Sequence, residues 1–394
     1  MRFLILLIAL LFWGCGQLNA IKDLAGSVTE LISGKDNAEP PKELDSDFEP
    51  KVTMTVLWKA SVGKGYNGRV LNLVPAVTAS TVYIADHRGL IEAYGRQDGE
   101  RLWSADTRLE FSAGPTVVGD RLLFGTSNAE LIAVSLTDGA LLWKTSVTSE
   151  VLALPKVVHN TVIVRTSDGR IAGLDLTTGK FKWSHERSVP PLSVRSLGSP
   201  AISGDLVLDG FGGGKMVALS SGDGRVAWET TAAVPKGRSE VERMVELDGE
   251  PLLQDGIVYA TGFQGGVSAI NAEDGEVIWH QNTAYSSHGM AISRHGLFIT
   301  DTHSDLWQLD LRGGADLWKQ TELHQRHLTV PALIHNRVVV GDFEGYVHAL
   351  SAEDGSLIGR LSLDDEPIIA TPVVHDDTLF VYSSSGLLAA ITLN

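Results

Sequence analysis

The chain has 394 residues, 43% of them apolar, with 41 glycines, nine tryptophans and a single cysteine. That apolar content excludes a disordered polypeptide, and one thiol excludes a disulfide framework or a cysteine-based zinc site. A net charge of −16 with no basic block argues against a nucleic-acid partner, whose nonspecific affinity rests on clustered Lys and Arg.

In chain order, Arg2 precedes an apolar run over 3–13, and Gly14-Cys15-Gly16 follows. A basic start and a short apolar run read as a signal peptide over 1–14, too short to span a bilayer as a mature helix. The small residue before Cys15 resembles a bacterial lipobox, with Phe12 and Trp13 standing where that pattern prefers Leu and a small residue. Cys15 is therefore the expected lipid attachment site. At about 0.8 kcal/mol per buried CH₂, several acyl chains hold a protein firmly on a membrane. Residues 15–50 are polar, carry Pro40-Pro41 and show no strand alternation. They read as a flexible tether that could extend roughly 100 Å.

From Lys51 onward one pattern recurs. A β-rich run, a Gly turn, an apolar run and an Asp-Gly or Thr-Gly turn lead to a Trp four residues later. The series is Trp58, Trp103, Trp143, Trp183, Trp228, Trp279 and Trp318, with Gly359 in the eighth place. Counting back 28 residues from Trp103 gives Pro75, and the same count gives Pro115, Pro155, Pro200, Pro251, Met290 and, from Gly359, Pro331. Runs such as Thr81-Val82-Tyr83-Ile84-Ala85 are rich in β-branched and aromatic residues, as strands are. A repeat of about 40 residues with four short strands is a propeller blade. The last unit, from Pro372, lacks its Trp-bearing strand, while Thr53-Met54-Thr55-Val56-Leu57-Trp58 is one strand too many at the start. The expected fold is all-β: an eight-bladed β-propeller of four-stranded antiparallel blades over 51–394, its last blade closed by the N-terminal strand. Each Trp is expected to pack between blades.

The closing Asp/Thr-Gly-x-x-x-Trp motif resembles the tryptophan-docking repeat of quinoprotein (PQQ) dehydrogenases. Joined to a lipoprotein leader on a bare ring, it resembles the BamB family, the propeller lipoproteins of the bacterial outer-membrane β-barrel assembly machinery. The stretches 191–200, 239–248 and 341–348 carry the closer likeness. The resemblance implies a non-catalytic scaffold, lipid-anchored on the periplasmic face of the outer membrane. It implies a monomer within a hetero-oligomeric complex that binds BamA, the barrel subunit, through its periplasmic POTRA domains. Nascent outer-membrane proteins are a further implied partner, added to blade edges as extra strands.

Loop lengths give an independent pointer to the site. The step from one blade's Trp position to the next blade's start is 11–13 residues in most units, but 17 after Trp183 and 23 after Trp228. Insertions of this kind cost little stability and often carry binding residues. The two loops follow successive blades, so they should be neighbours on one face. The first offers Leu192, Val194 and Arg195 beside Pro190-Pro191; the second carries Glu240, Glu242, Arg243, Glu246 and Asp248. An apolar knob with an Arg beside an acidic loop suits a protein partner. The resemblance places partner binding at Leu192, Val194, Arg195, Glu246 and Asp248. A third step of 17 residues, after Trp58, holds Gly63, Gly65 and Gly68 and reads as a flexible crossing.

The alternatives are a PQQ-dependent dehydrogenase and another periplasmic propeller binding protein. The first would need calcium ligands, a catalytic Asp and, in many members, adjacent cysteines that one thiol cannot supply. His324 and His327 are three apart, but no His-Glu-x-x-His spacing exists. No metal, cofactor or catalytic residue is expected.

Overall fold

The computed structural model describes residues 39–187, 197–235, 238, 244–286 and 289–394. The apolar runs form strands because alternate residues bury on both faces of each sheet: Thr81–Ala85 is buried throughout. Every regular element among the described residues is a strand. They assemble into eight antiparallel sheets, seven of four strands and one joined by the short parallel strand Asn72–Leu73. First strands of neighbouring blades touch around most of the axis, blade 8 back to blade 1 included. The outer strand of each blade carries the Trp position.

Blade 8 is closed as its sequence requires. Met54–Ser61 pairs antiparallel with Leu387–Leu393, from Met54 opposite Leu393 to Ser61 opposite Leu387. Ring closure leaves no open end of the array.

The Trp spacing has a specific physical cause. Each ring lies against the turn glycine of the next blade: a Cβ on Gly224 would sit 2.4 Å from the Trp183 ring, and one on Gly275 2.6 Å from Trp228. Six of the seven indole N–H groups, all but that of Trp103, then donate to a carbonyl just before that glycine, Trp183 to Ser221 at 2.9 Å and Trp228 to Ala272 at 3.1 Å. The Trp of one blade thus needs the third turn of the following blade. Gly359 in blade 7 follows from the same rule. Blade 8 has no third turn, because its outer strand comes from the other end of the chain. Val52 O and Met54 Sδ lie 3.4 Å from where a Cβ on Gly359 would stand, so the entering strand occupies the space that elsewhere holds a ring.

Residues 41–50, expected to be the end of a tether, belong to the folded unit. The compact unit runs Pro41–Asn394, and residues 41–50 are docked on the ring. Lys42 N–H donates to His324 O at 3.0 Å. Arg326 donates to Lys42 O at 3.1 Å and Arg360 to Asp45 O at 2.8 Å. Leu44 and Phe48 pack on the core of blades 6 and 7, with the Arg360 guanidinium 4.8 Å from the Phe48 ring. These two apolar side chains and the carbonyls of a Pro-broken backbone give the ring something to hold.

Candidate functional site

In a four-stranded antiparallel blade, the second turn and the connection to the next blade emerge on the same face. The two long connections, after Trp183 and after Trp228, meet there. A Cβ on Gly198, in the first, would lie 2.2 Å from Asp248 O in the second. The expected neighbourhood of the loops is therefore present in their stems. Leu192, Val194 and Arg195 lie outside the described residues, as does Cys15.

Glu246 and Asp248 are not where an exposed acidic loop would put them. They are 6% and 2% exposed. The segment 245–249 is threaded between the second turns of blades 4 and 5. Gly213 N–H donates to Val245 O at 2.7 Å and Glu246 N–H to Phe263 O at 3.1 Å, while Gly249 N–H reaches Thr261 O at 3.1 Å. Glu246 pairs with Gly212 as an antiparallel bridge. Two glycines admit the segment. A Cβ on Gly262 would stand 1.7 Å from Glu246 O, and one on Gly210 2.1 Å from Leu247 O. Val245 and Leu247 bury on the blade 4–5 core, which carries the alternating carboxylates inward with them.

Burial has electrostatic consequences. It pushes the Asp248 carboxyl up to about 7, against the hydrogen bond it accepts from Phe263 N–H at 3.0 Å, and the Glu246 charge pushes the same way. Burial likewise raises Asp209 to about 6, opposed by the Arg165 guanidinium 3.2 Å away. Arg165 also donates to Gly198 O at 3.3 Å and Gly210 O at 3.2 Å, so one side chain ties blade 3, blade 4 and the first loop's stem. Arg187 forks onto Glu229 at 3.0 and 2.9 Å, the bidentate geometry that fixes orientation. Both guanidiniums stand over the Phe211 ring, that of Arg165 5.7 Å and that of Arg187 5.4 Å from its centroid. Lys156 holds Glu250 at 2.7 Å. None of these supporting residues follows from loop length.

A cavity of about 490 Å³ opens beside the stems at the axis, lined by Leu197, Gly198, Glu250, Leu252 and Asp301 among others. Among the described residues no group of three or more His, Cys, Asp or Glu is placed to hold a metal ion. The cavity's carboxylates come from different blades, and Glu250 is engaged by Lys156, so this donor set does not fit the calcium a quinone cofactor needs.

A closed ring with tryptophans docked on the next blade's turn glycines, and a face elaborated by two adjacent loops, defines a quinoprotein-like propeller. Within that class the chain belongs to the family of the outer membrane protein assembly factor BamB, whose model matches residues 87–320 and 309–394. The BamB of Legionella pneumophila (strain Paris) is 42% identical over 100% of this chain and 99% of its own length. The crystal structure of BamB from Moraxella catarrhalis superposes with a TM-score of 0.77 at 24% identity, covering 86% of this chain and 100% of that one. A europium-containing methanol dehydrogenase superposes with a TM-score of 0.73 at 12% identity, over 86% of this chain and 93% of its own. At those identities the two structures show the fold alone. The family carries the name of an assembly factor, not of an enzyme.

Proposed function

We propose that this chain is a non-catalytic scaffold that seats the periplasmic POTRA domains of the barrel subunit on the face built by residues 184–199 and 229–250. The observation that carries this reading is the stem architecture. Two long connections that follow successive blades sit side by side, and their bases are clamped by Arg165, Arg187–Glu229 and the threaded segment 245–249. A clamped base lowers the ordering penalty of a loop that binds. In this reading Leu192, Val194 and Arg195 touch the partner. Glu246 and Asp248, being buried, hold the second loop's shape instead. The family's name supports a role in outer-membrane protein assembly. The reading includes a lipid on Cys15 that keeps the ring at the periplasmic face of the outer membrane.

Arg195→Glu is expected to weaken binding to soluble periplasmic domains of the barrel subunit by about 30-fold, the scale of an interface hot spot of about 2 kcal/mol, with an unchanged melting curve. Undiminished affinity in a titration would refute the assignment. Mass spectrometry of the mature N-terminus tests the anchor: acyl chains on Cys15 are expected, and an unmodified thiol would remove it.

One observation favours a second contact class. The outer strands begin with exposed apolar side chains, including Leu102, Leu142, Phe181, Val226, Ile278 and Leu317. Such edges suit pairing with an extended, apolar-alternating strand, which is the chemistry of a nascent barrel protein.

A further inference from the structure

The connection from blade 8 to blade 1 is not a loose crossing. Tyr66 is 1% exposed, and a Cβ on Gly65 would lie 2.3 Å from Ser384 O. The Asp86 carboxylate accepts N–H groups of Lys64, Arg88 and Leu90 at 3.0, 2.9 and 3.0 Å. The buried His87 ring places Nδ1 2.8 Å from Gly65 O, as an N–H donor. The blade 1 to blade 2 connection is tied as tightly: Thr107 Oγ1 donates to Gly89 O at 2.8 Å, and Arg108 N–H to Asp106 at 3.1 Å.

These locked loops enclose a groove of about 390 Å³ lined by Asn67, Arg69, His87, Arg88, Arg108 and Glu110. Three arginines from three separate segments converge there, in a chain of net charge −16. Their guanidiniums are little committed. Arg69 stands 4.0 Å from Glu110 and Arg108 3.9 Å from Asp106, with the Arg108 side chain 89% exposed. Arg88 is exposed and makes no ion pair among the described residues. By contrast, Arg96 lies 2.7 Å from Asp376 and Arg170 2.6 Å from Glu186. Asn67 and Arg108 also hold left-handed backbones, φ 49° and 58°, which costs energy in a residue with a Cβ.

We propose that this groove is a second binding site, for an acidic polypeptide segment whose Asp or Glu side chains take the guanidinium forks of Arg69, Arg88 and Arg108. Planar guanidiniums match carboxylates bidentately. The groove is concave and of a size for a few side chains. A bilayer would face the whole acidic molecule, whereas a short segment feels charges within about 8 Å at physiological salt. The site does not depend on which partner the long loops take.

The test is fluorescence anisotropy of the full chain with labelled hexaglutamate, beside phosphatidylglycerol vesicles and inorganic phosphate as separate arms. The peptide is expected to bind, more weakly as salt is raised. The double variant Arg88→Glu/Arg108→Glu should bind at least about fivefold more weakly with an unchanged melting curve. Arg225→Glu, an 86% exposed arginine on the opposite face, should bind as the parent does. Absent peptide binding, equal binding by the double variant, or binding confined to vesicles or to phosphate would overturn the proposal.

Discussion

Replacing Arg165 with Met lowers the stability of the ring by about 3–5 kcal/mol near pH 8, and by clearly less near pH 5. The Arg165 side chain is 13% exposed and that of Asp209 1%. Removing the cation strands a buried carboxylate, and it takes a donor from Gly198 O and Gly210 O. The pH dependence follows from the direction of the Asp209 shift. Its pKa in the folded chain is raised to about 6, so the native state holds the proton more tightly than the unfolded chain. The stability this group contributes is fully present below the ordinary carboxyl value and is lost as pH rises through about 6. Without Arg165 the folded value climbs further, so the charged form costs more at high pH. At lower pH the carboxyl is already neutral in both proteins. Urea unfolding at the two pH values reads the difference. An equal loss at both would mean that Arg165 acts by packing on Phe211, not by charge.

The second large effect lies under the N-terminal segment. Arg326 is 3% exposed on its side chain and meets Asp342, 0% exposed, through two nitrogens, at 2.8 and 2.7 Å. It also meets Glu344 and donates to Lys42 O at 3.1 Å. His348, itself buried, meets the same Asp342 oxygen at 2.9 Å. Burial alone would raise the Asp342 pKa. Its hydrogen bonds with His348, Tyr346 N–H and Arg326 outweigh that and hold it below the usual carboxylate range. The His348 ring is pushed below its ordinary value by burial, against the pull of Asp342. Arg326→Met therefore leaves an ionised carboxylate inside blade 7. The expected loss is about 3–5 kcal/mol, with faster hydrogen exchange over residues 41–50. Arg360→Ala separates the two consequences. It removes the donor to Asp45 O and the cation over Phe48 without stranding a charge. Exchange over 41–50 should quicken while global stability falls by no more than about 1 kcal/mol. Unchanged exchange in both variants would show that the docked segment is held by Leu44 and Phe48 alone.

The ring was legible in the sequence because Trp and Gly report on each other across blades. An indole docked on the next turn glycine repeats with the blade, so the spacing survives every loop insertion. Gly359 looked like a missing Trp and is instead a consequence of the split blade. The fate of the second long loop was less legible. Val245-Glu246-Leu247-Asp248 alternates apolar and acidic residues, as a strand with one wet face would, yet both faces are covered between blades 4 and 5. A signal did exist in the repeat. Eleven residues after each blade start stand Asp86, Thr126, Thr166, Phe211, Gly262, Asp301, Asp342 and Ser383. Most can bond to the second turn; Gly262 gives that up and leaves room for the Glu246 carbonyl, while Phe211 packs its ring against two arginines. One position earlier, Arg165 is the only charged residue of the eight. The docking of residues 41–50 was hidden for another reason. Two apolar side chains in a polar stretch carry no periodicity, and the rest of the contact is made through backbone carbonyls.

In the proposed scaffold, partner binding belongs to the paired loops of one face. Hydrogen exchange of the mature chain, alone and with the soluble periplasmic domains of the barrel subunit, tests it most directly. New protection is predicted over 187–200 and 232–250, with the outer strands of the blades unchanged. Protection confined to outer strands such as Arg101–Asp106 and Phe181–Glu186, with none in the two loops, would contradict it.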